Sequence, residues 1–309
     1  MSYPYLSDLV NPIFGTHWPI PIALFGSFVA LAIIAATLVA KLEVIRFERL
    51  GLLPSAKITP TVFIPPHQLV ENLAMVAALF GMLGARLFHI LEYPAEFLAH
   101  PMGMIFTRSG FSVYGGLIVG GIAGAVYLKK CAIPLIPMLD ALAPAMILGY
   151  GIGRMGCQIS GDGDWGIFAN MTLKPSWLPE WLWAQTYVNN IAGVIIPSPG
   201  VYPTPLYEVL MAFIIFAVLW AIRKRPYSRG YLFSSYLLFS AFERLLIEKI
   251  RVNSEYHFGG ISFTQAEFIS TLLILIGLWG ILKTTQAKCI PKIGFSIFIL
   301  GALSACATL

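Results

Sequence analysis

The chain has 309 residues, of which 58% are hydrophobic and 11% charged, with a mean hydropathy of +0.78 and a formal net charge of +5. Soluble domains carry about 25% charged residues, so this composition excludes a water-soluble globular fold, a coiled coil and a disordered chain. Four cysteines, Cys131, Cys157, Cys289 and Cys306, form no paired or metal-ligand spacing, which argues against a disulfide framework and a zinc site.

A bilayer-spanning helix needs roughly 20 apolar residues. Residues 1–17 contain no Lys or Arg, and the first apolar run, 18–40, is long enough to span, so it reads as a retained helix. Further runs fall at 69–91, 111–128, 132–156, 205–222, 231–248 and 262–282, with a shorter one at 291–308. The expected fold is an all-α integral membrane protein of seven transmembrane helices. Residues 1–286 would form the membrane-embedded domain, with 158–204 as an extracytoplasmic head loop. Residues 287–309 form a C-terminal apolar segment, read either as an eighth helix or as a tail.

Lys and Arg accumulate on the cytoplasmic side of membrane proteins. The loops after spans one, three, five and seven hold Lys41, Arg46, Arg49, Lys57, Lys129, Lys130, Arg223, Lys224, Arg225, Arg229, Lys283, Lys288 and Lys292. The intervening loops hold only Arg108, Lys174, Lys249 and Arg251, although one of them is the longest in the chain. The amino terminus is therefore expected outside. Basic charge that would suggest nucleic acid in a soluble protein is here an orientation signal, and no nucleic-acid partner is expected.

Arg86, Arg154 and Arg244 lie inside predicted spans. A cation at mid-bilayer costs about 2.5–3.5 kcal/mol on insertion scales, so each is a functional-site hypothesis. All three fall in the second half of an outward-running helix, roughly 5–15 Å beyond the midplane, a shared depth that points to a shared site. The alternative is an arginine that snorkels to the headgroups and anchors its helix, and Arg86 is the strongest case for it.

The third span opens with Ser112-Val113-Tyr114-Gly115-Gly116 and continues with Gly120 and Gly124, a small-residue spacing that lets another helix approach closely in lipid. Tyr114 reads either as an interfacial belt residue or as a donor lining the site. The fourth span ends in a glycine-rich run from Gly149 to Gly166, expected to unwind into a polar pocket. No strand precedes it, so it is not a dinucleotide fingerprint. Within it, Asp162 and Asp164 are either turn residues or pocket carboxylates, and two carboxylates without a third ligand do not make a metal site. Arg244, Glu248 and Arg251 at i, i+4 and i+7 share one helical face, and a Glu248–Arg251 ion pair is expected near the interface. Glu208, after Tyr202-Pro203-Thr204-Pro205-Leu206-Tyr207, lies at the arginines' depth, either neutralising one of them or taking a proton. His17, His67, His89, His100 and His257 fall near span ends or in loops and read as solvated side chains.

In their order and spacing these motifs resemble the bacterial phosphatidylglycerol:prolipoprotein diacylglyceryl transferase family, over nearly the whole chain from 18 to about 283. The likeness rests on Gly84-Ala85-Arg86-Leu87, Tyr114-Gly115-Gly116, the run from Gly153-Arg154 to Gly161, and Pro203-Thr204 with Leu206-Tyr207-Glu208. Arg244 with Glu248 and Arg251, and Gly260-Ile261-Ser262 with Gln265, complete it. Three departures stand out. Tyr114 aligns with a position that is often histidine in the family, and Ser240 with one that is often tyrosine. The stretch Gly156-Cys157-Gln158-Ile159-Ser160-Gly161-Asp162 replaces Gly-Asn-Phe-Ile-Asn-Gly-Glu, with one extra residue before Trp165.

The resemblance implies transfer of diacylglycerol from phosphatidylglycerol to the lipobox cysteine thiol of a prolipoprotein, forming a thioether and releasing glycerol phosphate. It implies a monomeric multi-pass protein of the bacterial plasma (inner) membrane, with its site toward the outer leaflet and with neither cofactor nor metal. Its partners are phosphatidylglycerol, prolipoprotein signal peptides and the bilayer. Arg154 and Arg244 would stabilise charge on the leaving phosphate, with Arg86 positioning lipid or holding helices. Tyr114, Glu208 and Glu248 complete the catalytic set, and the proton acceptor stays open among Glu208, Glu248 and Asp162. Gly115, Gly116, Ser160, Gly161 and Asp162 join the arginines in binding lipid. The main rival class is a transporter or binding protein for an anionic solute or lipid; internal repeats, frequent in such proteins, are not found. Leu303-Ser304-Ala305-Cys306 looks like a lipobox, set against the simpler reading of a helix ending in small residues.

Overall fold

A computed structural model describes residues 2–106, 112–225, 228–253, 255–258 and 261–286. The 287–309 segment with Cys289 and Cys306, and also Arg108 and Gly260, lie outside the described residues. The chain runs through α1 (Leu6–Phe14), α2 (Leu24–Arg49), a short hairpin of β1 (Ala56–Lys57) and β2 (Phe63–Ile64), and a 3-10 turn at Pro66–Gln68. It continues with α3 (Leu69–Glu92), α4 (Pro94–Ala99), α5 (Pro101–Phe106), α6 (Val113–Lys130) and α7 (Leu135–Ser160). The short α8 (Glu180–Trp183) precedes α9 (Thr204–Ile222) and α10 (Tyr231–Glu248), and a hairpin of β3 (Glu255–Phe258) and β4 (Ile261–Thr264) leads into α11 (Gln265–Gln286). The two antiparallel hairpins are the only sheets among the described residues, and the segment between α7 and α9 is largely irregular, tied by isolated bridges such as Phe168 with Val201.

Five helical stretches are long and apolar enough to cross a membrane: Leu24–Arg49, Pro66–Glu92, Leu135–Ser160, Thr204–Ile222 and Gln265–Thr285. The protein is thus a multi-pass membrane protein. The other two predicted spans coincide with α6 and α10, of 18 residues each, whose apolarity is lowered by Lys129 and Lys130 and by Glu243, Arg244 and Glu248. The first span departs from its expected start. Pro19 and Pro21 hold the chain extended, so α2 begins at Leu24. It then runs past the apolar stretch to Arg49, because its polar end is satisfied there: buried Glu43 accepts from Arg46 at 2.7 Å and Arg223 at 2.9 Å.

Lipid gives no hydrophobic drive for helix association, so close backbone approach and buried polar contacts must supply it. The helices α3 and α6 pack against each other, as do α2 with α7, α7 with α9, and α10 with α11, while α10 also touches α7 and α9. The glycine stripe of α6 faces α3: a Cβ at Gly120 would lie 2.9 Å from the Ala77 carbonyl oxygen and 3.2 Å from Gly81 Cα. The expected unwinding of the Gly149–Gly166 run does not occur before Ser160. Its glycines stay helical and admit neighbours instead, Gly151 against Ala212 and Gly156 against Phe28. A regular helix satisfies its own backbone in lipid, and only at Gly161, in the left-handed region at φ 62°, does the chain turn away. At the opposite end buried Asp140 accepts the Phe233 N–H at 2.8 Å and the Gly230 N–H, closing the amino end of α10.

Gly120→Leu should force α3 and α6 apart and cost about 1–3 kcal/mol. The neighbouring Gly121, which has open space where a Cβ would go, provides the control. Thermal unfolding in detergent is expected to fall by several degrees for Gly120→Leu and to stay near wild type for Gly121→Leu.

Candidate active site

The last turns of α7 present Tyr150, Arg154 and Cys157 toward one end of the bundle. Past Gly161 the Asp164 N–H donates to Asp162 Oδ1 at 3.2 Å, a local turn that brings Asp164 back over Arg154. The returning segment is strung between two helix ends. Thr204 Oγ1, at the start of α9, donates to the Asp164 carbonyl at 2.8 Å, and the Ile167 N–H donates to the Ile250 carbonyl just after α10 at 2.8 Å. Gly166 is required there, because a Cβ would meet Thr204 Cγ2 at 2.9 Å and the Ile250 carbonyl closer still.

Four charges close into an alternating ring. Arg154 Nε lies 3.1 Å from Glu208 Oε2, and Arg154 Nη1 pairs with Asp164 Oδ2. Arg251 Nη2 lies 2.8 Å from Asp164 Oδ1, and Arg251 Nη1 lies 3.6 Å from Glu208 Oε1. Each carboxylate thus bridges two guanidiniums carried by different elements. Glu208 is 0% exposed, so an unpaired charge there would be strongly unfavourable. Beside the ring, Arg244 Nη1 pairs with Glu248 Oε2 at 2.6 Å, and Asn253 Nδ2 donates to both Glu248 oxygens at 2.8 Å. The Tyr150 hydroxyl lies 3.1 Å from Glu208 Oε1 and 3.3 Å from Glu243 Oε1, and receives the Arg154 Nε–H at 3.4 Å.

The expected Glu248–Arg251 pair is corrected by these contacts. The helix ends at Glu248, so Arg251 leaves the shared face and turns to Asp164 and Glu208, while Glu248 takes Arg244 one turn back. Arg154, Glu208, Arg244 and Glu248 do converge, and the Tyr114 phenol stands within electrostatic range of Arg244, Glu248 and Arg251. Arg86 stands part-buried on α3, in the α3–α6 pair and not on the helices that carry the ring. Gly115 and Gly116 lie at the α3–α6 contact, against Phe88 and Gly81. Ser160 is fully buried and donates to the Gly156 carbonyl at 2.8 Å, and Gly161 packs under Asn190 and Ser2.

Tyr150 and Glu243 are not among the residues the sequence singles out, whereas Asp164 is there a turn or pocket carboxylate and Arg251 a partner of Glu248. Two signals were present: Tyr150 is four residues before Arg154 on the same face, and Glu243 is a second charge inside a span. For Asp164 and Arg251, both in loops, helical spacing does not identify the partners they meet. Cys157, Asp162 and Asp164 bring ligand atoms within 4.8 Å of one another. Asp164 is already held by two guanidiniums, and Arg154 Nη1 is 3.8 Å from Cys157 Sγ, so the local positive charge opposes a cation.

Burial opposes ionisation of Asp164, but Arg154 and Arg251 outweigh it and hold the carboxyl below its ordinary value. A depressed carboxyl contributes stability that is present above its ordinary value, about 3.9, and is lost as pH falls through the lowered one. Asp164→Asn is expected to destabilise the protein at neutral pH by about 1–2 kcal/mol, the low end because the side chain is partly exposed. Thermal unfolding of the two proteins should converge only as pH falls below the ordinary carboxylate range and through the lowered value, where the wild-type carboxyl also loses its charge.

Residues 12–283 match the family model for prolipoprotein diacylglyceryl transferase. The chain is 31% identical over 204 residues to the phosphatidylglycerol-prolipoprotein diacylglyceryl transferase of Corynebacterium glutamicum, a match covering 63% of this chain and 63% of the relative's own length. It is 25% identical over 333 residues to the protein of that name from Leptospira interrogans, covering 91% of this chain and 94% of the relative. To that of Lactiplantibacillus plantarum it is 28% identical over 274 residues, covering 87% and 88%. With its motif residues in order across that whole stretch, the chain belongs to the prolipoprotein diacylglyceryl transferase family.

Proposed function

We propose that this protein transfers the diacylglyceryl group of phosphatidylglycerol to the lipobox cysteine thiol of prolipoproteins, forming a thioether and releasing glycerol phosphate. The observation that carries this reading is the meeting of Arg154, Arg244 and Arg251 with buried carboxylates at one end of the bundle, in a chain of this family. Displacement at the glycerol carbon forms the S–C bond and breaks the C–O bond, leaving the electron pair on a phosphate oxygen. Guanidiniums preorganised in a low-dielectric site stabilise that developing charge. Arg244, 25% exposed, is the guanidinium best placed to meet the headgroup, and Arg154 backs it. Nη1 of Arg244 and Nη1 of Arg251 are buried and, among the described residues, make ion pairs without a well-directed hydrogen bond, so each has a donor to offer an anion.

The nucleophile is the thiolate, and a free cysteine with a pKa of about 8.5 is mostly protonated at neutral pH. Glu208 is the first choice of proton acceptor, since its Oε2 is buried with no well-directed hydrogen bond among the described residues, whereas both Glu248 oxygens accept from Asn253 and Asp162 accepts the Asp164 N–H. Tyr114 lines the headgroup side near Arg244. Gly115 and Gly116 fix the α3–α6 approach that positions it, and Ser160 and Gly161 support the turn to Asp162. Arg86 holds the α3–α6 pair or contacts lipid. Seven spans, α2, α3, α6, α7, α9, α10 and α11, would place the amino terminus and the site outside, toward the outer leaflet of the bacterial plasma membrane. Residues 158–204 would then form a head over the site, on a protein acting as a monomer. The basic residues Arg46, Lys129, Arg223 and Lys283, at helix ends expected on the other side, support that orientation.

Reconstituted with phosphatidylglycerol and a lipobox peptide, the wild-type protein should yield a thioether product detectable by mass spectrometry. Arg154→Lys and Arg244→Lys should each lower the rate about 100-fold or more, since a point charge cannot replace a planar fork. Absence of thioether from the wild-type protein would overturn the assignment.

A further inference from the structure

The reaction outlined above moves one proton, and the geometry around Tyr150 specifies how the site prepares to receive it. A phenol has one hydrogen and two lone pairs. The Tyr150 oxygen meets three groups: Arg154 Nε–H, which can only donate to it, Glu208 Oε1 at 3.1 Å and Glu243 Oε1 at 3.3 Å. Its single hydrogen can go to only one glutamate. Were both ionised, the other carboxylate oxygen would face a phenol lone pair in a buried environment, a repulsive contact that no hydrogen bond to that oxygen offsets. The conflict disappears when one glutamate carries a proton and donates to the phenol oxygen.

Surroundings decide which one. Glu208 lies between Arg154 and Arg251 and is the ionised partner. Glu243 is 3% exposed and, among the described residues, no basic group lies within 4.0 Å of its carboxyl. The charged and titratable groups that face it are Tyr150 and Arg154 from α7, Glu208 from α9, and Arg244 and Tyr236 from its own helix. Charge balance agrees. With Glu243 neutral, Arg154, Arg244 and Arg251 are matched one for one by Asp164, Glu208 and Glu248.

We propose that Glu243 is a positioning residue that holds a proton at neutral pH and donates it to the Tyr150 oxygen, directing the phenol hydrogen onto Glu208 Oε1. The second oxygen, Glu208 Oε2, is buried, faces Arg154 and has no well-directed hydrogen bond among the described residues. It is the oxygen left to take a proton. This step rests on the transferase reading. The thiol S–H bond breaks with its proton passing to Glu208 Oε2, and the sulfur pair forms the S–C bond. The C–O bond breaks with its pair on the phosphate oxygen, and the proton then passes from Glu208 to the released phosphate. Glu243 keeps its own proton throughout.

Two measurements test this on the full-length protein in phosphatidylglycerol-containing bilayers. Infrared difference spectra of wild type against Glu243→Gln should contain the carbonyl stretch of a protonated carboxylic acid at neutral pH. A carboxylate band in its place overturns the proposal, whatever the enzyme's activity. In the transfer assay with a lipobox peptide, Glu243→Met, which fills the space without a donor, should lower kcat/KM about tenfold or more, and Glu243→Gln, whose amide can donate to Tyr150, should recover most of that loss. Tyr150→Phe should lower kcat/KM and move the acid limb of the pH profile upward, because Glu208 loses a donor to its charged form. Equal impairment by Gln and Met, equal activity of both with wild type, or an unmoved acid limb overturns the positioning role. If wild type forms no thioether while the infrared band is present, the transferase reading fails and the positioning role falls with it, but the protonated Glu243 stands.

Discussion

The rest of the structure depends on keeping guanidinium charge inside a low-dielectric bundle. An isolated arginine there would be costly, and a single buried partner seldom recovers the desolvation penalty of both charges. The solution is the alternating ring of Arg154, Glu208, Arg251 and Asp164, in which every charge has two opposite neighbours. Each member comes from a different element: α7, the start of α9, the residues after α10 and the turn after α7. Pairing them therefore requires three helix ends and a returning loop to meet, and the bridge between Gly166 and Arg251 is the backbone trace of that requirement.

Ion pairs of this kind form only if the helices can approach closely. Gly151 against Ala212 lets α7 and α9 come near enough for Arg154 to reach Glu208 at 3.1 Å. Gly156 against Phe28 seats the same turn of α7 on α2. The glycine contacts between α3 and α6 do the equivalent on the other side, where Tyr114 is held within range of Arg244 and Glu248. Small residues and buried charges are thus two parts of one design: the first sets the distance over which the second can act.

Much of the fold was legible in the chain. The runs at 69–91 and 231–248 end within a residue of α3 and α10, because hydropathy is a property of a segment by itself. The first run was displaced because Pro19 and Pro21 delay α2, and because Glu43 and Arg46 lie in helix once Arg223 reaches them from α9. In the site, Arg154, Glu208, Arg244 and Glu248 were identifiable as charges where charges are expensive. The ring partners of Asp164 and Arg251 were not, since what a charged loop residue meets is fixed only when the loop folds back. Helical spacing pairs Glu248 with Arg251 only if α10 continues, and the helix ends at Glu248, which takes Arg244 instead.

The order of residues alone determined that this is a helical membrane protein, which segments are apolar, and which arginines had to be explained. Those are energies of single residues or short windows, additive along the chain and independent of where distant segments lie. Which carboxylate answers which guanidinium, that Tyr150 bridges two glutamates, and that the glycine run stays helical to Ser160 were decided only by the tertiary structure. Pairing energies depend on separations of a few ångströms between residues far apart in sequence, Glu208 and Arg154 among them, and no local pattern encodes such a distance.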